Sequence, residues 1–370
     1  MTRAFSLYLD LVRLLAAVLV VLYHSNSRLL SSAKLPFADH GHAAVIVFFV
    51  LSGYVIGHVT LHKESTPLVW WSSRLARFYT LAVPAVLLTP LLDHVGEALA
   101  PQFYGASTTH TLGWLRVATS LAFANELWGW SIMSFSNVPY WSLCYEMAYY
   151  LLFAIATFTR GRRRTGLLVV AVMVLGPKIL LLAPPWLLGL LLQRWPLLAR
   201  LRPWQGWLLF LGSWPLYAWF QHAGLTPYGA ALVGRLLGAD WQRTLAFSKF
   251  FLTDYPLALL VAANFAGFRC IAPHFAGLLQ RCERPIRTLA PQTFALYIFH
   301  QPLLLFFSAL IDGDPGGHLF YAEVVAATAL TALAAGALFE RCRPWLRGRL
   351  HDLLRSAYSA CHSVLSSPKT

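Results

Sequence analysis

Charged residues are scarce in this sequence. Asp, Glu, Lys and Arg make up 12% of its 370 residues, whereas 58% are hydrophobic. One soluble core cannot bury that much apolar surface, so the composition excludes an ordinary soluble protein and indicates a chain that uses lipid as its solvent. The apolar stretches run from residue 5 to residue 340 with only short polar interruptions. No separate soluble domain is therefore predicted.

Paired cysteines are absent as well. The sequence contains no CxxC motif, and its five cysteines are scattered: Cys144, Cys270, Cys282, Cys342 and Cys361. We therefore expect neither disulfides nor a zinc or other metal site, and no permanently bound cofactor. Internal repeats and low-complexity tracts are also lacking.

Basic residues are in excess, with 29 Lys and Arg against 15 Asp and Glu and a formal net charge of +14. A nucleic-acid binder carries such charge as a stripe on a soluble fold. Here the charges lie between hydrophobic stretches, in keeping with the accumulation of Lys and Arg in short cytoplasmic loops. The excess indicates membrane topology, and no nucleic-acid partner is expected.

A membrane-crossing helix needs about 20 apolar residues, and that length predicts an all-α bundle of ten spans. They are expected at about 5–26, 42–61, 78–93, 139–159, 166–182, 184–199, 205–222, 247–266, 289–311 and 320–340. The positive-inside bias places both termini in the cytoplasm. Residues 1–345 then form the transmembrane domain and 346–370 a basic cytoplasmic tail. The segment 94–138, rich in Trp and Gly, is expected to contain interfacial or re-entrant helices.

Ionisable side chains inside a span are costly and often mark functional sites. In the first span, Asp10, Arg13 and His24 fall on one narrow helical face. No small-residue cleavage pattern follows this segment, so it is expected to be a retained helix rather than a signal peptide. Asp10 lies one turn from Arg13 and can neutralise it. That pair either fixes helix packing or serves a site, and His24, near the outer end, is either interfacial or catalytic.

Two later spans carry further candidates. Glu146 in the fourth span is expected at a depth similar to that of His24, where a carboxylate would hold the tautomer of the histidine. In the ninth span, His300 beside Gln301 either forms a hydrogen bond to a neighbouring helix or belongs to the site.

Arg74 and Arg77 lie one turn apart at the predicted start of the third span. Basic side chains at a helix N-terminus suit a phosphate group, although positive-inside anchoring explains them equally. The predicted topology places these arginines and His24 on opposite sides of a hydrocarbon core that is about 30 Å thick. A water-filled or broken-helix pore is expected to shorten that distance, with any helix break near residues 52–54 or within 113–135.

Taken together, these segments resemble the bacterial acyltransferase-3 family of integral membrane O-acyltransferases, in order along the whole chain. The matching segments are LDLVRLLAAVLVVLYHS (9–25), VIVFFVLSGYVIG (45–57), the Arg74/Arg77 pair, YWSLCYEMAYYLLF (140–153) and ALYIFHQPLL (295–304). Many relatives add an extracytoplasmic esterase-like domain. This sequence stops about 30 residues after its last predicted span, so the membrane-only form is expected.

The resemblance implies acyl transfer from acyl-CoA, usually acetyl-CoA, to a hydroxyl group. It implies catalytic roles for Arg13, His24 and Glu146 and CoA binding by Arg74 and Arg77. Further positions expected to contact or support the substrate are Asp10, Ser52, Tyr54, Trp141, Ser142, His300 and Gln301.

The expected partners are acyl-CoA as donor, a carbohydrate or lipid-linked glycan as acceptor, and the bilayer of the cell (inner) membrane, which the chain crosses many times. Acylation of a small molecule or a lipid is an alternative within the same reaction class. A proton- or substrate-coupled transporter is the alternative from another class, with the ionisable residues as its relay. Paired repeats with interrupted helices would be typical of such a transporter, and the sequence shows none.

Overall fold

A computed structural model describes residues 1–30, 33–105 and 109–366 of the chain. Its regular structure is helical throughout these residues, apart from one isolated bridge between Ser134 and Asn137. The helices are α1 (Arg3–Leu29), α2 (Gly41–His62), α3 (Pro67–Leu99), α4 (Gly113–Leu121), α5 (Trp141–Phe158), α6 (Gly161–Leu175), α7 (Pro177–Leu181), α8 (Ala183–Arg194), α9 (Pro203–His222), α10 (Leu225–Leu237), α11 (Ala239–Thr244), α12 (Phe251–Ile271), α13 (Ala276–Arg281), α14 (Glu283–Leu289), α15 (Thr293–Leu310), α16 (His318–Phe339) and α17 (Arg343–Ser366). The all-α fold class predicted from the composition is confirmed.

The predicted basic tail lies mostly on α17, a helix that packs against α3. Its last residues, 367–370, lie outside the described part of the chain, as do residues 106–108 of the segment 94–138. Four cysteines have described side chains, and all four are free.

Six helical stretches of the described chain are long and apolar enough to cross a membrane, which makes this a multi-pass membrane protein. They are Arg3–Leu29, Ala38–His62, Pro67–Leu99, Ala246–Arg281, Glu283–Leu310 and His318–Ser359. The other four predicted spans also fall on helices, namely α5, α6 with α7, α8 and α9. None of these four reaches the combined length and apolarity of the six. The count of ten spans and the cytoplasmic position of the termini therefore stay predictions.

Helices α2 and α8 pack with their backbones almost in contact. A Cβ atom added at Gly53 would lie 1.9 Å from the carbonyl oxygen of Trp186, and one added at Gly189 would lie 1.9 Å from the carbonyl oxygen of Val50. Small residues allow such close approach between membrane helices. Helix α2 runs unbroken through this point. The break expected near residues 52–54 is therefore absent, because the glycine there serves close packing instead.

Replacing Gly53 or Gly189 by alanine is expected to lower the unfolding temperature in detergent. The added methyl group must push α2 and α8 apart, and overpacking of this kind costs about 1–3 kcal/mol. The matched control is Gly212→Ala on α9, where an added Cβ meets no atom within 4 Å. Thermal melts that do not separate Gly53→Ala from Gly212→Ala would show that this contact does not hold the two helices together.

The segment 94–138 is partly helical and partly irregular. Helix α3 reaches into this segment as far as residue 99, and α4 covers residues 113–121. After α4 the backbone is irregular up to residue 137. Three non-glycine residues of the irregular part adopt left-handed φ angles, namely Phe123, Trp128 and Phe135. Its polar side chains Asn125 and Glu126 are fully buried. Irregular backbone at membrane depth is tolerated where protein surrounds it, and here the surrounding helices supply that cover.

A buried ion pair holds this irregular segment in place. Lys178 Nζ lies 2.6 Å from Glu126 Oε2, and both side chains are 0% exposed. The same ammonium group also donates to the backbone carbonyl of Trp130. Lys178 falls within the predicted span 166–182, where a charged side chain needs a partner. Its charge lies inside because irregular backbone and a buried carboxylate in an apolar bundle need internal partners.

Candidate active site

Three cavities lie in a row inside the bundle. The basic cavity, of about 240 Å³, is lined by six charged residues: Asp10, Arg13, Arg77, Arg287, Glu340 and Arg343. The middle cavity, of about 70 Å³, shares with it Arg13, Arg77, Thr293 and Phe294. The histidine cavity, of about 860 Å³ and lined in part by His24 and His42, shares Val45 and Tyr297 with the middle cavity. Because neighbours share lining residues, the three form a path between the two ends of α1.

The first-helix residues line this path, as their helical spacing predicts. Asp10 and Arg13 line the basic cavity and His24 lines the histidine cavity. Arg13 and His24 are eleven residues apart, which is about 16 Å along a helix. Helix α1 therefore sets the distance between the arginine end and the histidine end.

Four helices supply the arginines of the basic cavity. Arg287 on α14 donates to the carboxylate of Asp10, whose other oxygen lies 3.5 Å from Arg13 Nη1. Arg343 on α17 lies 3.2 Å from Glu340. Arg77 on α3 has no carboxylate within salt-bridge distance among the described residues. With more arginines than carboxylates, the cavity carries an excess of positive charge that suits an anion.

Sequence reasoning missed Arg287 and Arg343 as site residues. In the sequence both stand in predicted cytoplasmic segments among other basic residues, where they count only as topology signals. Helix packing against α1 and α3 brings them to the cavity.

The two arginines of the RxxR motif have different surroundings. Helix α3 begins at Pro67, so both lie two to three turns inside it rather than at its N-terminus as expected. Arg74 is buried, donates to Glu64 and lies over the ring of Trp70 at 5.8 Å. Only Arg77 lines a cavity described above.

Glu146 lies deeper in the bundle than the sequence suggests. Its Oε1 accepts hydrogen bonds from Ser52 Oγ at 2.5 Å and from Tyr150 at 2.7 Å. Ser52 is eleven residues along α2 from Gly41, which is in direct contact with Tyr23 beside His24. Eleven helical residues span about 16 Å, so the expected equal depth of Glu146 and His24 is wrong. The carboxylate lines the middle cavity, and its hydrogen-bond partners do not include His24.

The polar neighbour of His24 is a second histidine. The ring centroids of His24 and His300 are 5.2 Å apart. His300 Nδ1 lies 2.7 Å from the carbonyl oxygen of Tyr297, so this nitrogen is the donor. Its buried Nε2 has no hydrogen-bond partner among the described residues and is left as an acceptor. Gln301, on the same helix, is also buried.

The junction between the middle and histidine cavities is built from the start of α5 and from α15. The hydroxyl groups of Tyr297 and Ser142 are 2.7 Å apart, and the Tyr297 hydroxyl also donates to Pro139 O at 3.1 Å. Trp141 lies on the histidine-cavity side and stacks on Phe247, with ring centroids 4.4 Å apart. Ser142 and Trp141 thus lie beside the path.

Tyr54, an expected supporting residue, lies away from the path, and His300 and Gln301 likewise line none of the three cavities. Tyr54 is buried and packs edge-on against Phe5, with ring centroids 5.5 Å apart. It lines none of the three cavities. Ser52, two residues away, points to the middle cavity instead, because helical residues two apart face about 200° apart.

A histidine–carboxylate pair also faces the histidine cavity, and sequence reasoning missed it. His42 Nε2 lies 2.6 Å from Asp254 Oδ1, and the aspartate side chain is 0% exposed. A signal was present, because Asp254 falls within the predicted span 247–266 and a carboxylate at membrane depth needs a partner. The identity of that partner depends on which helix packs beside it.

These helices and this path define a class, a multi-pass membrane protein with a basic site at one end and histidines at the other. The model of the acyltransferase-3 family, described as an acyltransferase domain, matches residues 6–340. The chain belongs to this family, and it is a membrane acyltransferase. No curated protein and no solved structure matches it.

The middle cavity is expected to admit small polar reagents. In a chain whose natural cysteines are replaced by serine, Val55→Cys should react with iodoacetamide because Val55 lines that cavity. Val50→Cys, on the same helix but fully buried, should react only after denaturation. Mass spectrometry of the purified protein measures both, and equal labelling of the two variants would contradict an open path.

Proposed function

We propose that this protein is an O-acyltransferase of the cell (inner) membrane that moves an acetyl group from cytoplasmic acetyl-CoA to a hydroxyl of an extracytoplasmic glycan or its lipid-linked precursor. The observation that carries this proposal is the row of three cavities with arginines at one end and histidines at the other. A phosphorylated donor and a hydroxyl acceptor then enter from opposite faces and meet within the protein.

The basic cavity suits the phosphates of CoA. Guanidinium groups bind phosphate oxygens through paired, charge-assisted hydrogen bonds. Arg77 is the best placed, because it lines both the basic and the middle cavity and has no carboxylate partner among the described residues. Arg13 and Arg287 share Asp10 between them, so they add less free charge.

The middle cavity suits the pantetheine arm. This part of CoA is a thin chain with two amide groups, and the cavity is narrow with a few polar groups, among them Ser52, Glu146 and Ser142. Such placed polar groups fix orientation in an otherwise apolar site. The thioester at the end of the arm then reaches the Tyr297 junction, beside the histidine cavity.

The histidine cavity suits a sugar. It is the largest of the three and combines the aromatic faces of Trp141 and Phe247 with polar side chains that include Gln242 and Lys249. An apolar face with a few placed polar groups is the usual form of a small-molecule site. A sugar ring presents C–H groups to the aromatic faces and hydroxyl groups to the polar ones.

In the reaction, the carbon–sulfur bond of the thioester breaks, a carbon–oxygen bond forms, and the hydroxyl proton leaves the acceptor. His24 serves this exchange in one of two ways, as the base that takes the proton or as the carrier of the acyl group. Either role needs a neutral imidazole that donates its N–H and keeps a lone pair. The ring centroids of His24 and His300 are 5.2 Å apart. Because His300 Nε2 has no hydrogen-bond partner among the described residues, this nitrogen is free to accept that N–H during the reaction.

His24→Ala is expected to reduce acetyl transfer at least 100-fold, the lower end of what a general base or nucleophile contributes. The measurement uses purified protein, radiolabelled acetyl-CoA and a glycan extract of the source cells, and it follows both CoA release and label in the glycan. The control is His222→Ala, an exposed histidine at the end of α9, which should behave as wild type. Wild-type protein that neither releases CoA nor transfers label would refute the acyl-CoA reaction.

Arg77→Ala is expected to raise the KM for acetyl-CoA about 10-fold or more, since a lost charge-assisted hydrogen bond costs about 1.5–3 kcal/mol. With acetyl-pantetheine, which lacks the phosphates, variant and wild type should have the same kcat/KM. Arg163→Ala, at an exposed site on α6, is the matched control and should change neither value. A defect that persists with acetyl-pantetheine would place the role of Arg77 away from the phosphates.

A further inference from the structure

The pair His42–Asp254 has the geometry of an acid–base dyad. His42 lies in the first turn of α2 and Asp254 in the first turn of α12. Their contact of 2.6 Å uses Nε2 of the ring, and Nδ1 has no hydrogen-bond partner among the described residues. The histidine side chain is 22% exposed and lines the histidine cavity, whereas the aspartate is fully buried. A buried carboxylate thus lies behind an accessible imidazole.

His24 and His42 line the same cavity but have different partners. The polar neighbour of His24 is the imidazole of His300, whereas His42 has a carboxylate. A carboxylate holds the tautomer of a histidine and stabilises the imidazolium that forms when it takes a proton. His42 is therefore the better base of the two, and His24 is left better suited to act as a neutral nucleophile.

We propose that His42, positioned by Asp254, is the general base that deprotonates the acceptor hydroxyl, and that His24 carries the acyl group to it. This inference rests on the proposed acyltransferase function. It adds a catalytic residue, His42, and a positioning residue, Asp254, on the acceptor side of the reaction.

The two half-reactions balance. A ring nitrogen of His24 attacks the thioester carbon, the carbon–sulfur bond breaks, CoA leaves as the thiolate, and the N–H proton of His24 passes to His300 Nε2. In the second half, His42 takes the hydroxyl proton while the acceptor oxygen attacks the acyl carbon. The carbon–nitrogen bond then breaks and His24 recovers its proton from His300. His42 releases its proton to water, so the net products are the ester, the CoA thiolate and one proton.

The competing role for the pair is a tether between α2 and α12. A tether needs only the hydrogen bond, whereas a base needs the negative charge of the carboxylate and a titratable ring. Asp254→Asn and His42→Gln can both keep a hydrogen bond, and both remove the acid–base function. These variants therefore separate the two roles.

The test compares two acceptors with radiolabelled acetyl-CoA as donor. Hydroxylamine attacks an acyl group as a neutral amine and needs no base, whereas a sugar hydroxyl, supplied as glycan extract, does. His42→Gln and Asp254→Asn are expected to transfer label to the glycan at least 100-fold more slowly than wild type. Transfer to hydroxylamine, taken as the rate above the enzyme-free reaction of hydroxylamine with acetyl-CoA, should stay within about twofold of wild type. Added imidazole should restore part of the glycan transfer in His42→Ala.

The matched control is His40→Gln. His40 lies two residues from His42 and is likewise bonded to another helix, through Tyr217 at 2.5 Å, but it lines none of the three cavities. It should transfer to both acceptors as wild type does.

Two results would overturn the inference. Glycan transfer at the wild-type rate in Asp254→Asn would make the pair a tether, and an equal loss with hydroxylamine and glycan would make the defect one of folding or of the donor step. Both results require active wild-type protein. Inactive wild type would instead refute the acyltransferase reaction itself, so the two failures are distinguishable.

Discussion

The fold depends on supplying polar partners to irregular backbone inside an apolar bundle. The stretch between α4 and α5 lies inside the helix bundle, but its irregular backbone lacks the hydrogen bonds that a helix would provide. Lys178 gives it a buried cation, which binds both Glu126 and a backbone carbonyl. The chain emerges from this stretch into α5, which brings Trp141, Ser142 and Glu146 to the path. Without internal partners for the segment, the lipid solvent would exclude it.

The arginines and the histidines of the path lie at different ends of it. Arginines gather at the end where α1 begins, and histidines at the other end. Each carboxylate near the path among the described residues is bound locally: Asp10 to arginines, Glu340 to Arg343, Glu146 to hydroxyl groups, and Asp254 to His42. The arginine end therefore suits an anion. Proton transfer and nucleophilic attack at the histidine end both require a neutral ring.

Close helix packing sets the levels at which these groups meet. Helix α2 carries His42 at one end and Ser52 near its middle, and it is in close contact with α8 through Gly53 and Gly189. Sliding one helix along the other would misalign the two glycines. Hydrogen bonds join the same helix to two others, from Ser52 to Glu146 on α5 and between His42 and Asp254 in the first turn of α12.

The sequence by itself determined that the chain lies in lipid, that its fold is all-α, and which residues form one face of the site. Composition required lipid, and helical periodicity placed Asp10, Arg13 and His24 on one face, because spacing along a single helix fixes both angle and rise. The order of motifs indicated the family. Only the tertiary structure decided which residues of different helices meet. It moved Glu146 away from the level of His24, separated Arg74 from Arg77, and brought in Arg287, Arg343 and the His42–Asp254 pair. The reason is that the relative height of two helices depends on how they pack and on where the irregular segments between them end. Periodicity within one helix gives no information on either.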